Sequence, residues 1–196
     1  PVRSGTAGSE ISVNVNAKAG VADVNVALDG LAAALPNVEA VTLVVPWFGD
    51  DLRAGHCQVR PKVETADRTT TPLVWTVNGL AREDTAVVTL YSAGKPVFGG
   101  TPSDSTVVEA IQELKARGYR VTLHPTLVMD IPESNALPDP YSNNAGSTGQ
   151  EAFPSRSRIT GSPAPGYTGT VDKAVGAATQ VSAFFGSANA ADFSVV

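Results

Sequence analysis

Two stretches of the chain change their hydrophobic period in the same way, from helical spacing to alternation. Between Gly20 and Leu35, Val21, Val24, Leu28 and Leu31 recur on one helical side, and Pro36-Asn37 stops the pattern. The run VEAVTLVV (38–45) follows and predicts a buried strand. Between 103 and 117, Val107, Val108, Ile111 and Leu114 share one side, leaving Glu109, Gln112, Glu113 and Lys115 for water. Thr101 is the expected N-cap of that helix, Pro102 its first residue, and Asp104 the acid of its first turn. Gly118 is its expected stop. Residues 120–129 then alternate through Val121 and Leu123 and run apolar to Met129, predicting a second strand that leads into Asp130-Ile131-Pro132. A third helix is expected over 170–185, with Thr170 as cap, Val171, Val175, Ala178, Val181 and Phe185 on its apolar side, and Gly186 as its end.

Helix followed by apolar strand, twice, predicts an α/β fold whose strands are parallel and covered by helices. The intervening residues break the pattern. Short strands are expected over 73–77 and 87–91, with Ser92 to Lys95 turning the second back into 96–98. Residues 132–169, rich in Pro, Gly, Asn and Ser, read as a long loop at the carboxyl-end face, ordered mainly by contacts with neighbours. The weak alternation of Ile11, Val13 and Val15 makes residues 1–19 either an edge strand or a tether from a preceding domain, with one main domain over 20–196. Pro1 at one end and the apolar residues 193–196 at the other lead to the expectation of an internal segment of a longer polypeptide.

Composition narrows the function classes. The 196 residues carry a net charge of −5, which offers no electrostatic footprint for nucleic acid. No apolar run approaches the roughly 20 residues of a membrane span. Cys57 is the single cysteine, so no internal disulfide forms. No P-loop, GxGxxG or GxSxG motif is present at a strand–helix junction, and no cofactor is implied.

Candidate chemistry gathers at the ends of the two firm strands, where α/β folds place their sites. Asp50 and Asp51 follow the first strand and Asp130 the second. Paired carboxylates are the machinery of most glycosidases, one donating a proton while the other attacks or activates water. Aspartates after strands also cap turns without any catalytic part. Trp47, Phe48 and Trp75 offer aromatic faces for a sugar ring, or bulk for a core. His124, within the second strand, is either directed into a cleft or satisfied structurally. His56-Cys57 near the aspartates lacks the spaced partner pair of a metal site.

Several blocks together resemble one family. They are VTLVVPWFGDDLRAGHCQVRPKVE (41–64), TPLVWTVNGL (71–80), PVFGGTPSDSTVVEAIQELKARGYRVTLHPTLVMDIP (96–132), LPDPY (137–141), RITGSPAPG (158–166) and VDKAVGAATQVSAFFG (171–186). The family is the glycoside-hydrolase-like TIM-barrel domain of the gene transfer agent and phage tail protein sometimes called megatron. The resemblance implies a partial barrel of about three β/α units, the early part of a domain that closes with eight strands. It further implies a virion component at the tail tip or baseplate hub, bound to other tail proteins and serving host attachment and genome delivery. A glycoside hydrolase acting on host cell-wall or surface glycan is the alternative. A non-catalytic carbohydrate-binding module using Trp47 and Trp75 is the third reading. Members carry a further glutamate-bearing strand that this sequence does not include, so the resemblance assigns no catalytic role to Asp50 or Asp130. Members also often have cysteine where this chain has Gly161.

Overall fold

A computed structural model describes residues 2–6, 8–144, 146–154 and 158–188. In chain order the elements are β1 (Arg3–Ser4), β2 (Ile11–Ser12), α1 (Asp23–Ala34), β3 (Ala40–Gly49), β4 (Thr70–Thr71), β5 (Thr76–Val77), β6 (Leu80–Ala81), α2 (Asp104–Ala116), β7 (Arg120–Met129) and α3 (Val175–Phe185). The fold is mixed α/β, with few helices and small sheets, none of them closed into a barrel among the described residues. No described helix is long and apolar enough to cross a membrane. The chain divides into two compact units, Pro1–Pro46 with Pro61–Thr126 and Trp47–Arg60 with Leu127–Val196.

The two long strands, β3 and β7, form their own sheet. Near their start Arg120 N donates to Glu39 O (2.8 Å), and beyond their end Asp130 N donates to Gly49 O (2.9 Å). The pairing offset is unchanged along ten residues, which only parallel strands allow. This register turns the backbone of even-numbered β7 residues and odd-numbered β3 residues toward the partner strand. Pro46 and Pro125 therefore face away from the pair, the one place in a strand where a missing N–H costs no bond. On that outer side Pro46 O accepts the Thr101 hydroxyl (2.9 Å), and Phe48 exchanges backbone bonds with Arg60 (3.0 and 2.9 Å).

In the first unit, β4, β5, β6 and then α2 follow β3 in the chain, and α2 leads directly into β7. The cap of α2 is Ser103, not Thr101: Ser103 Oγ accepts from Thr106 N at 3.3 Å. Thr101 is withdrawn from the helix by three other bonds. Its hydroxyl donates to Pro46 O and accepts from Lys62 N (3.3 Å), while its carbonyl accepts the Trp75 indole N–H (2.8 Å). Gly118, at φ 86°, ends the helix as expected. Arg117 ties α2 to α1 through Asp29 (2.7 Å).

The predicted short strands are shorter still. Only Thr76–Val77 of 73–77 is strand, closed on Leu80–Ala81 by Asn78-Gly79, both at positive φ. That Asn-Gly pair is the strongest short hairpin signal in the chain. Residues 87–91 hold only isolated bridges, from Val87 to Val63 and from Leu90 to Pro96, with the expected turn at 92–95 between the latter two. Within residues 1–19, β1 and β2 pair with each other, and β1 also pairs with β4.

In the second unit, Leu52, Cys57, Met129 and Ile131 form a buried cluster, with Leu137, Ile159 and Phe184 packed against it. Here α3 departs from expectation twice. It begins at Val175, and Thr170 instead accepts from Asp172 N (3.1 Å) in a tight turn. Its apolar side also faces outward: Val175 is 87% exposed and Phe185 60%. The side turned inward carries Gly176, Gln180 and Phe184. Gln180 decides this, because its amide exchanges bonds with Ser162 (N to Oε1 2.7 Å, Nε2 to O 3.0 Å). Gly55 and Gly161 leave the room, since a Cβ on Gly55 would meet Gln180 Cγ at 3.2 Å and one on Gly161 would meet Val171 Cγ2 at 2.8 Å.

Candidate functional site

The strand-end cluster belongs to the second unit. Because Asp130 N bonds Gly49 O, Asp130 stands opposite Asp50 on the neighbouring strand. Asp130 is buried at 3% exposure, whereas the Asp50 side chain is 38% exposed. Asp50 accepts from Gln58 N (2.8 Å) and lies 3.7 Å from the Arg60 guanidinium, which the Phe48–Arg60 bridge brings alongside.

Asp51 emerges on the other side of β3 and does different work. Its carboxylate accepts from Arg53 N (2.8 Å), Arg53 Nε (3.0 Å), Arg53 Nη2 (2.6 Å) and Gln150 Nε2 (2.7 Å). Burial works to raise this carboxyl, but hydrogen bonds from Arg53 and Gln150, with the Arg53 charge, outweigh it and hold it below its ordinary 3.8. Gln150 is the hub: Oε1 accepts from Leu52 N (2.8 Å) and Nε2 also reaches Pro138 O (2.9 Å). Asn135 adds a second layer, accepting from Gln150 N (2.8 Å) and donating to Gln150 O (2.9 Å) and Pro132 O (2.8 Å). The Pro/Gly-rich segment after β7 is thus held to the end of β3 by its own polar side chains. Neither Gln150 nor Asn135 carries a local sequence signal; both act across long sequence separation.

The remaining candidates stand elsewhere. His124 is exposed on β7 and belongs to the first unit, whereas Asp130 belongs to the second. Trp47 is half-buried, and Phe48 is fully buried. Trp75 is buried at 7% exposure, with the Arg82 guanidinium 5.4 Å above its ring. Cys57 is buried against Gly49 and Met129, and burial pushes its thiol up from its ordinary value. Among the described residues no three His, Cys, Asp or Glu groups stand together as metal ligands.

What this arrangement can do chemically is limited and definite. Asp50 and Asp130 are aligned by backbone register at the ends of neighbouring strands, one buried and one partly open to solvent. Asp51 is a fully hydrogen-bonded anion, a poor proton donor near neutral pH. No protein-family model matches the chain, and no curated protein matches it either.

Proposed function

We propose that the chain is a segment of a tail-tip or baseplate hub protein of a phage or gene-transfer-agent-like particle. It carries the early part of a glycoside-hydrolase-like (β/α) barrel and serves host attachment and genome delivery within the virion. The observation that supports this reading is the β3–α2–β7 unit, which coincides with two of the blocks carrying the family resemblance. A parallel pair joined through a helix is the repeating element of such barrels. One face of this pair is open: Ala40, Thr42, Val44, Arg120, Thr122 and His124 are all exposed. Parallel sheets are ordinarily covered on both faces, so further strands or neighbouring tail proteins belong there. Cryo-electron microscopy of purified particles tests this, with density for these residues expected at the tail tip. Their absence from every particle component would defeat the proposal.

A second reading, hydrolysis of host cell-wall or surface glycan, is favoured by the Asp50–Asp130 register. The experiment is release of reducing ends from peptidoglycan and surface polysaccharide by this chain, by Asp130→Asn and by Asp50→Asn. The hub reading expects no release by the chain alone. Turnover that falls about a thousandfold or more in either variant, worth at least about 4 kcal/mol of barrier, would establish the enzyme instead.

A further inference from the structure

Asp51 is a buried titratable group that the candidate chemistry leaves unused. It stands beside the apolar cluster of Leu52, Cys57, Met129 and Ile131. Replacing a buried ion pair by apolar side chains of similar volume is often neutral or stabilising, so stability alone does not account for a charge there.

A carboxylate only accepts, and here both oxygens are taken. Oδ1 accepts from Arg53 N, Arg53 Nε and Gln150 Nε2, and Oδ2 accepts from Arg53 Nη2 and Nε. A proton added to either oxygen meets a donor and must displace it. On Oδ1 it displaces Gln150. On Oδ2 it displaces Arg53, and the bond from Gln150 loses the charge that makes such bonds roughly twice as strong as neutral ones. Turning the Gln150 amide over offers no escape. Its Nε2 would then face Leu52 N, donor against donor, and Pro138 O would lose its partner.

Gln150 is carried by two short runs, 135–139 and 147–150, that bond to each other through Asp139 N to Ser147 O (3.1 Å) and Gly149 N to Leu137 O (2.9 Å). Asn135 braces Gln150 inside this strap. Gln150 joins the strap to the end of β3 twice, at Leu52 N and at Asp51. Leu137 packs against the apolar cluster, so lifting the strap uncovers apolar surface.

We propose that Asp51 is an acid-sensitive latch, whose protonation frees Gln150 and lifts the strap from the end of β3 while the β3–β7 pair stays formed. This goes beyond the hub reading and stands or falls without it. Burial works to raise the Asp51 carboxyl, but its bonds to Arg53 and Gln150 outweigh that and hold it below 3.8. The latch is therefore closed above the ordinary value and opens as pH falls from there through the folded one. The neighbouring groups leave Asp51 as the trigger. Arg53 is the cation that faces it, and burial pushes the Cys57 thiol up, away from the acid range. Asp50 is turned to Gln58 N and Arg60, Asp139 to Tyr141 N, and Glu151 to Arg158. Asp130 stands on β7 opposite Asp50, and Glu133 is exposed.

Residue-resolved hydrogen exchange by NMR between about pH 5 and about pH 2 tests the latch. The Leu52 amide, whose acceptor is Gln150 Oε1, should lose protection by about tenfold per pH unit below 3.8, ahead of the β3–β7 ladder amides. Overhauser contacts from Leu137 to the apolar cluster should vanish over the same range. Asp51→Asn should open the Leu52 amide already at about pH 5 and abolish the slope. Should that variant fail to fold, Gln150→Met carries the test, because it keeps the Asp51–Arg53 pair and should also abolish the slope. Wild-type Leu52 protection lost only together with the ladder, Leu137 contacts that persist, or a slope that survives in either variant would each overturn the proposal.

Discussion

Asp51 differs from Asp50 by one position and by the side of the strand on which it emerges. That difference separates a buried, saturated anion from a half-exposed carboxylate beside Asp130. Replacing Asp51 with Asn keeps the shape but leaves the largely buried Arg53 guanidinium without its counter-ion. The expected cost is about 3 kcal/mol, read from the urea midpoint. The pH dependence has a definite sign. The folded-state carboxyl lies below its unfolded value, so its stabilisation is complete above the unfolded value and is lost as pH falls through the folded one. Wild type should therefore lose more stability than Asp51→Asn between about pH 5 and pH 2. Parallel acid curves for the two proteins would contradict the saturated-anion account. Nothing local in DDLR distinguishes the two aspartates beyond strand alternation, and the Gln150 partner lies far along the chain.

Among the elements, α2 and α3 are held by opposite means. Helix α2 has a side-chain cap, a buried Leu114 and an acidic first turn, where Asp104 accepts from Asn78 N at 2.8 Å. Helix α3 has no buried residue and no side-chain cap, and Gln180 bonds it to Ser162. Gln180→Leu removes both bonds and leaves the Ser162 backbone to find other partners. The expected loss is about 2 kcal/mol, with hydrogen-exchange protection falling in 175–185 before it falls in 104–116. Simultaneous loss in both helices would contradict local anchoring of α3. Ser103→Ala should cost about 1 kcal/mol and Thr101→Ala should leave the helix start intact, which a hydrogen-exchange comparison of the two separates. The period of α3 was legible in the sequence, but its buried side was not. A glutamine lying between glycines outcompeted the valines because its amide satisfies a backbone pair that apolar side chains cannot.

For the whole molecule, the hub reading assigns the open face of β3 and β7 to further strands or neighbouring protein, and the outward apolar side of α3 is a second exposed surface to test under the same reading. Val175→Lys with Phe185→Lys changes only exposed positions, so the unfolding free energy should move by no more than about 0.5 kcal/mol. If the hub reading holds, incorporation into particles should nevertheless fall, measured by quantitative mass spectrometry of purified virions. Unchanged incorporation would remove α3 from any assembly surface. Pro125 faces the outer edge of β7, so Pro125→Val adds a donor there. It should raise self-association in sedimentation velocity without raising stability; a monomer as clean as wild type would show that this edge is already covered.

Local pattern alone determined that helices lie within 20–35 and 103–117, that strands lie over 120–129 and from within 38–45 onward, and that glycines stop helices at 118 and 186. The strand expected to end at 45 runs on to Gly49 through Pro46, whose missing N–H faces away from its partner. Period and helix termination are properties of neighbouring residues, so they can be read without knowing the fold. The missed Asn78-Gly79 hairpin was legible by the same logic. Tertiary structure alone decided that Thr101 serves Pro46, Lys62 and Trp75 instead of capping α2, and that Gln150 holds Asp51. Each depends on which distant backbone groups and side chains arrive unsatisfied at the same place. Hydrophobic spacing does not encode that meeting, because a polar side chain is claimed by whichever buried partner would otherwise go without a bond.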